Sequence, residues 1–248
     1  MKKFLFIPIL FLLFVSCSNG QQKKGASAQQ AAENPKKSTE NTGYVAWKEE
    51  AKSNIRLLPK YGYVQKSEGQ KEADKDFIAE VLKQGVSLKE GAENHIDLGF
   101  NYLYKGDLRT AMYRFNQAWL LDSTNSNIFS GFSAVYFSFQ DYDTALKMLD
   151  EGLQLNPDNT NLLTDKATIY SVRYRTSKKS EDLKKAYELL NKSYQLDPKK
   201  DVTLYKLSIF SFEQGDCKNA KRYYEECMAV GGRPIQAGYA DALKEKCK

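Results

Sequence analysis

The sequence predicts an all-α fold: an α-solenoid of four helix pairs, entered by a lead-in helix and closed by a C-terminal capping helix. Three observations predict it. Tyr102, Tyr136 and Tyr170 stand 34 residues apart, as do Ala111 and Ala145, and Ala186 and Ala220. Small residues recur beside aromatic ones at matched positions, and Gly, Pro, Asn and Asp punctuate the periodic stretches. The composition permits a packed core, because 248 residues at 42% hydrophobic are too apolar for a disordered chain. His95 is the only histidine, so a multi-His metal site is excluded and any His-dependent dyad or triad would have to use that residue.

The chain opens with Met1-Lys2-Lys3 and then twelve residues, Phe4 to Val15, interrupted only by Pro8. A helix of that length rises about 18 Å, short of the ~30 Å hydrocarbon core. Residues 1–16 therefore read as an export signal peptide and not as a spanning helix. Phe14-Val15-Ser16-Cys17 resembles a bacterial lipobox, with Phe14 where Leu is usual. The resemblance implies cleavage before Cys17 and acylation of its thiol. It also implies the outer membrane, because Ser18 replaces the Asp that would hold a lipoprotein in the inner membrane; the body is expected to face the periplasm, with a surface-facing body the alternative. The alternative is an ordinary signal peptide cut near Ser16, which would leave Cys17 as an exposed thiol in an oxidising compartment. Loss of Lys2 and Lys3 leaves 35 basic against 31 acidic residues. An excess of +4 does not indicate a nucleic-acid partner.

Residues 17–43 hold no aromatic residue and, after Cys17, no aliphatic one larger than Ala. Such a stretch cannot bury enough surface to offset its ordering entropy and reads as a flexible tether, about 25–30 Å root-mean-square as a loose coil. Residues 44–91 form the lead-in. Tyr44, Trp47, Ile55, Leu57, Leu58, Tyr61 and Tyr63 give competing helical and strand periods, and Pro59 breaks either. This part is expected to be partly helical and to pack on the body. Ser67-Glu68-Gly69-Gln70 is a capping-box signature, behind which Ala73, Phe77, Ile78, Val81 and Leu82 share one helical face. Gly85 is placed to end that helix, and Ser87-Leu88-Lys89-Glu90 repeats the capping box.

Residues 92–234 divide into four units, 92–125, 126–159, 160–200 and 201–234. The first carries Leu98-Gly99, Tyr102, Ala111, Phe115 and Ala118. The second carries Phe132-Ser133, Tyr136, Ala145, Leu149, Gly152 and Pro157. The third carries Ala167, Tyr170, Ala186, Leu190, Ser193 and Pro198, with Lys166 where Leu is usual. The fourth carries Leu207-Ser208, Ala220, Tyr224 and Cys227, with Ser211 and Gly232 replacing Tyr and Pro. This pattern resembles the tetratricopeptide (TPR) repeat. The physical reason is packing: two helices approach closely only where one side presents Gly, Ala or Ser, as at Gly99, Ser133, Ala167, Ser208 and the four second-helix alanines. The third unit has seven extra residues and the cations Arg173, Arg175, Lys178, Lys179, Lys184 and Lys185. These read either as a lengthened helix pair with solvated charges or as a basic knob for an acidic partner or anionic lipid.

The resemblance implies a right-handed solenoid whose first helices line a concave groove. The groove candidates are Phe100, Tyr104, Ser130, Ala134, Phe137, Thr164, Thr168, Tyr205, Ile209 and Phe212. Together they would form an apolar, aromatic and hydroxyl surface for an amphipathic or extended segment, unless several of them pack against the lead-in. The family's known clamp for a C-terminal carboxylate needs Lys, Arg and Asn. The matching positions hold Ile96, Phe100, Ser130 and Ala134 instead. His95 stands where the family prefers Trp and reads as a packed ring. Gly231-Gly232, lacking a following Lys-Ser/Thr, is a turn and not a phosphate loop. No constellation for catalysis, cofactor or metal emerges.

The expected function is that of a membrane-tethered adaptor that binds another cell-envelope protein through its groove. A structural spacer, or a hydrolase scaffolded on repeats, is the alternative. The capping helix, residues 235–248, is expected to run back antiparallel to the preceding one. Cys217 and Cys247 each lie fifteen residues from Gly232, so they should meet and form a disulfide. Cys227, about 15 Å along the same helix from Cys217, is too far to pair. Three unpaired structural cysteines are the alternative.

Overall fold

The computed structural model describes residues 42–247. The signal peptide, Cys17 and the tether up to residue 41 lie outside the described residues. The fold is a TPR-type α-solenoid. Helix α1 (Thr42–Ala51) is followed by two 3₁₀ turns, Ile55–Leu57 and Pro59–Tyr63, and by α2 (Glu68–Lys83). Four helix pairs follow: α3 (Leu88–Tyr104) with α4 (Leu108–Leu121), α5 (Ile128–Ser138) with α6 (Tyr142–Leu155), α7 (Thr160–Ser177) with α8 (Ser180–Leu196), and α9 (Asp201–Glu213) with α10 (Cys217–Ala229). Helix α11 (Tyr239–Lys246) closes the stack.

Side-chain chemistry sets the boundaries. The Ser67 hydroxyl accepts from the Gln70 amide while the Gln70 side chain accepts from the Ser67 amide, so the capping box is reciprocal and opens α2. Ser87 caps the Glu90 amide. Helix α3 therefore begins at Leu88, and the unit boundary expected at residue 92 falls inside it. Three second helices start on the same device: Asp107, Asp141 and Asp216 accept from the amides of Thr110, Thr144 and Asn219. The residue before each of these Asp caps is left-handed, with φ of 80° at Gly106, 64° at Gln140 and 77° at Gly215. The closing helix, expected within residues 235–248, starts at Tyr239, because Gly238 at φ 83° interrupts the chain just before it. The seven extra residues of repeat three lengthen the helices, 18 residues in α7 and 17 in α8 against 11 and 14 in α5 and α6.

The core follows the small-residue rule. The Phe115 ring on α4 lies where a Cβ on Gly99 of α3 or Gly131 of α5 would collide with it. Two adjacent first helices are thus drawn onto one aromatic ring. Apolar packing falls into two clusters. One runs from Trp47 to Ile169 and the other from Ala167 to Cys247, so they meet within α7. A buried hydroxyl triad lies in the same region: Thr164 to Thr203 at 2.9 Å, Thr164 to Ser193 at 3.1 Å and Ser193 to Thr203 at 2.8 Å.

The first part of the lead-in, with α1 and the two 3₁₀ turns (residues 42–63), forms a strap over the second helices. Tyr44 stacks on Phe139 at 4.8 Å, Trp47 packs on the same ring, and the Tyr44 hydroxyl donates to Asp141 at 2.5 Å. Arg109 of α4 pairs with Glu50, and Asn54 donates to Tyr113 Oη at 2.9 Å. Asn116 of α4 is fully buried. Its amide donates to the carbonyls of Arg56 and Leu58, both at 2.9 Å, and its oxygen accepts from the Tyr61 amide at 3.4 Å. Lys60 is buried against Glu151 of α6 and lies 5.3 Å from the Phe129 ring centre. Lys60, Tyr61, Gly62 and Tyr63 all stand at positive φ. For the three with a Cβ this costs on the order of 1–2 kcal/mol each, offset by these contacts.

Candidate functional site

The first helices α3, α5, α7 and α9 present one face of the stack, and the strap lies on α4, α6 and the end of α5. The strap therefore does not fill the first-helix face. On this face Phe100 is half-buried and packs edge-on against Phe115 at 5.2 Å, while Tyr104 is 80% exposed and stacks loosely on Phe100 at 6.2 Å. Ser130, Ala134, Phe137, Thr168 and Ile209 are each half-buried. These seven can be reached by a partner.

Thr164, Tyr205 and Phe212 cannot, which corrects their assignment to the groove. Thr164 is spent in the buried hydroxyl triad. Tyr205 and Phe212 are buried under the closing segment: both rings pack edge-on against Tyr239, at 5.3 and 5.8 Å, and Tyr205 Oη accepts from the Gln236 amide at 3.1 Å. Their positions match groove positions elsewhere in the stack, but in the last repeat α11 occupies the space where a following repeat would stand.

Four polar residues of the same face escaped the sequence reading. Asn161 donates to Asn127 at 3.3 Å between α7 and the start of α5. Asp165 of α7 accepts from the Ser130 hydroxyl of α5. Lys206 of α9 lies near Asp165. Burial pushes the Asp165 carboxyl above the usual carboxylate range, against the opposing pull of Ser130, Lys206 and Lys200. Burial likewise pushes the Lys206 ammonium down, although Asp165 favours its charge. The signal was available: Asp165 and Lys206 each stand two residues before the small packing residue of their helix, Ala167 and Ser208. They share a register with Asp97 and Gly131, so one further row along each helix would have shown them.

The remaining sequence candidates are structural. His95 Nδ1 lies 2.8 Å from the Gly91 carbonyl and the ring packs edge-on against Phe77 at 5.2 Å; burial holds its imidazole below the ordinary value. Four of the six cations of the basic insertion, Arg173, Arg175, Lys184 and Lys185, pair with carboxylates of α6, α8 and α9. Arg173 reaches Asp143 and Asp182 at 3.3 and 3.4 Å, Arg175 reaches Glu213 at 2.6 Å, and Lys185 reaches Glu181 at 2.6 Å. It forms a lengthened helix pair, with Lys178 and Lys179 exposed at the turn between the helices. Among the described residues, no group of three or more His, Cys, Asp or Glu could hold a metal ion. Cys217 and Cys247 are joined as a disulfide, Cα to Cα 5.3 Å, and Cys227 is a buried free thiol.

No family model matches the chain, and no curated protein matches it. Solved structures do. A thermophilic TPR protein of Thermus thermophilus superposes with a TM-score of 0.50 at 14% identity, over 57% of this chain and 75% of that one. This is a likeness of fold. PilF of Pseudomonas aeruginosa gives 0.46 at 16% identity, over 73% and 89% of the two chains. MamA of Desulfovibrio magneticus gives 0.43 at 18%, over 66% and 97%.

Proposed function

We propose that this chain is an exported, lipid-anchored adaptor of the outer membrane, facing the periplasm, which holds another envelope protein through its first-helix groove. The observation that carries the reading is the division of faces. The strap occupies the second-helix side, while aromatic, aliphatic and hydroxyl side chains on the four first helices are left accessible. Tyr104, 80% exposed beside Phe100, offers contact area to a ligand and adds little to the core. The anchor rests on the signal-like start and on Cys17.

Two measurements test it. Cys17→Ala should leave an uncut or soluble form in detergent partitioning; membrane retention of a matured Cys17→Ala protein would remove the anchor. Mild cross-linking and affinity capture from membranes should return one dominant envelope protein with the native chain and much less with Tyr104→Ala combined with Phe137→Ala. A diffuse set of proteins, unchanged by those substitutions, would assign the chain to a spacer role.

A further inference from the structure

Part of the set of side chains that fastens the strap occurs twice in the chain. The packing alanines Ala111 of α4 and Ala186 of α8 are 75 residues apart, and so are Ala145 of α6 and Ala220 of α10. The same step carries Asn116 to Asn191, Arg109 to Lys184 and Glu151 to Glu226. A shared register sets each pair on the same side of its helix. On α4 and α6 these residues hold the strap: Asn116 bonds the carbonyls of Arg56 and Leu58, Arg109 pairs with Glu50, and Glu151 with Lys60. On α8 the counterparts are open. Asn191 is half-buried where Asn116 is fully buried, and among the described residues its side chain makes no hydrogen bond. Tyr187 is 43% exposed, whereas Met112 at the same position of α4 is fully buried. Lys184 is exposed and makes one loose ion pair, with the exposed Glu188 at 3.8 Å. Glu226 is the exception, held by Arg222 at 3.2 Å and by the Tyr194 hydroxyl at 3.0 Å.

We propose that α8 carries a second strap seat, open in this chain, which takes a short non-helical segment of a partner protein. The segment repeats the strap's order of groups: an acidic side chain for Lys184 and then, as from Glu50 to Arg56, a basic residue six positions on. The carbonyl of that basic residue and that of the second residue after it face the Asn191 amide. A helix spends its carbonyls internally and cannot offer them, so Asn191 selects irregular backbone. In the strap, Arg56 lies over the Tyr113 ring at 3.9 Å. The counterpart of Tyr113 is Glu188, so a basic residue at that place meets a carboxylate, and Tyr187 supplies apolar contact beside it. Arg222 already serves Glu226, so the segment needs no equivalent of Lys60. A second copy of this chain is not the occupant, because its strap is held on its own α4 by the buried Asn116. The seat lies on the second-helix side and does not rest on the groove reading.

The probe is a fluorescein-labelled peptide of the strap sequence, residues 49–59, with a scrambled peptide of the same composition as control. Fluorescence polarisation follows both against the full mature chain, whose first seat keeps its own strap. The strap peptide should bind saturably and the scrambled one should not. Asn191→Leu should weaken binding roughly 5–10-fold. Lys184→Glu should weaken it roughly 2–5-fold, and a peptide carrying Glu50→Lys should recover that loss. Because Asn191 bonds nothing in the free chain, Asn191→Leu should leave the melting temperature within about 2 °C of the native value. Equal binding of the two peptides, or binding that survives Asn191→Leu, overturns the seat. Loss on Asn116→Leu but not on Asn191→Leu also overturns it, since the peptide would then be trading places with the resident strap. Loss on Tyr104→Ala with Phe137→Ala but not on Asn191→Leu would put the peptide in the first-helix groove instead. A concentration-dependent dimer in light scattering that Asn191→Leu dissolves would give the seat to a second copy and overturn the assignment to another protein.

Discussion

Asn116 does more for the strap than any residue the sequence pattern singles out. It lies fully buried on α4 and binds three backbone groups of a segment some 55–60 positions away. Asn116→Leu should cost about 2–4 kcal/mol, because two buried carbonyls and one amide lose their partner at once. Urea unfolding measures it, and a change below about 0.5 kcal/mol, the range of surface substitutions, would mean the strap is not bound as described. At the same scale, the Asp107 and Asp216 caps set an acid response. The Thr110 hydroxyl and amide hold the Asp107 carboxyl below the usual carboxylate range, and Asn219 does the same for Asp216. In the unfolded chain these groups bind protons more readily, near pH 3.9. Their stabilisation is therefore complete above that value and is lost as pH falls through the lower folded values. Melting temperatures measured from about pH 5 downward should fall with acid, and Asp107→Asn with Asp216→Asn should flatten that decline. Asp165 acts in the opposite sense, since its raised folded value favours the protonated form.

Among the elements, the helix pairs were legible and the strap was not. The pairs announce themselves because the same sizes recur at one spacing, and because Asp107, Asp141 and Asp216 recur as caps. Residues 52–66 follow no period. They are held by long-range bonds from Asn116, Tyr113 and Glu151, and local sequence cannot encode those. The exposure of the proposed groove residues was half legible. Phe100, Tyr104 and Phe137 are accessible on the first helices, whereas Tyr205 and Phe212 are buried because the closing segment of a terminal repeat covers what an inner repeat exposes. The closing helix itself is short, and the disulfide ties its far end to the start of α10. Cys217→Ser with Cys247→Ser should lower stability by roughly 3–4 kcal/mol, the entropy of a loop of ~30 residues. Amide exchange should rise first in Tyr239–Lys246. Uniform loosening of the whole stack would show that α11 is held by its packing and not by the bridge.

Across the whole molecule, the two apolar clusters meet inside α7, where the hydroxyl triad of Thr164, Ser193 and Thr203 lies. Repeat stacks share stability between neighbours, and a polar layer weakens that sharing. Unfolding should therefore proceed in two stages. Leu204→Ala, in the second cluster, should cost about 2–5 kcal/mol and lower exchange protection from α8 onward. Protection in α3 to α6 should stay near the native value. A single coincident transition for all amides would show that α7 couples the clusters fully.

The position of the strap also decides how the protein would respond to tension. A pull arriving at Thr42 enters α1 and meets its fastenings one after another: Tyr44 and Trp47 on the end of α5, Glu50 and Asn54 on α4, then Asn116, and last Lys60 on α6. Bonds met in sequence yield one at a time, so the strap would unzip from its N-terminal end before the helix pairs were strained. A cargo held on the first helices would feel none of this until the last fastening gave way. On the adaptor reading, the strap would act as a graded mechanical fuse that yields before the helix pairs holding a partner are strained.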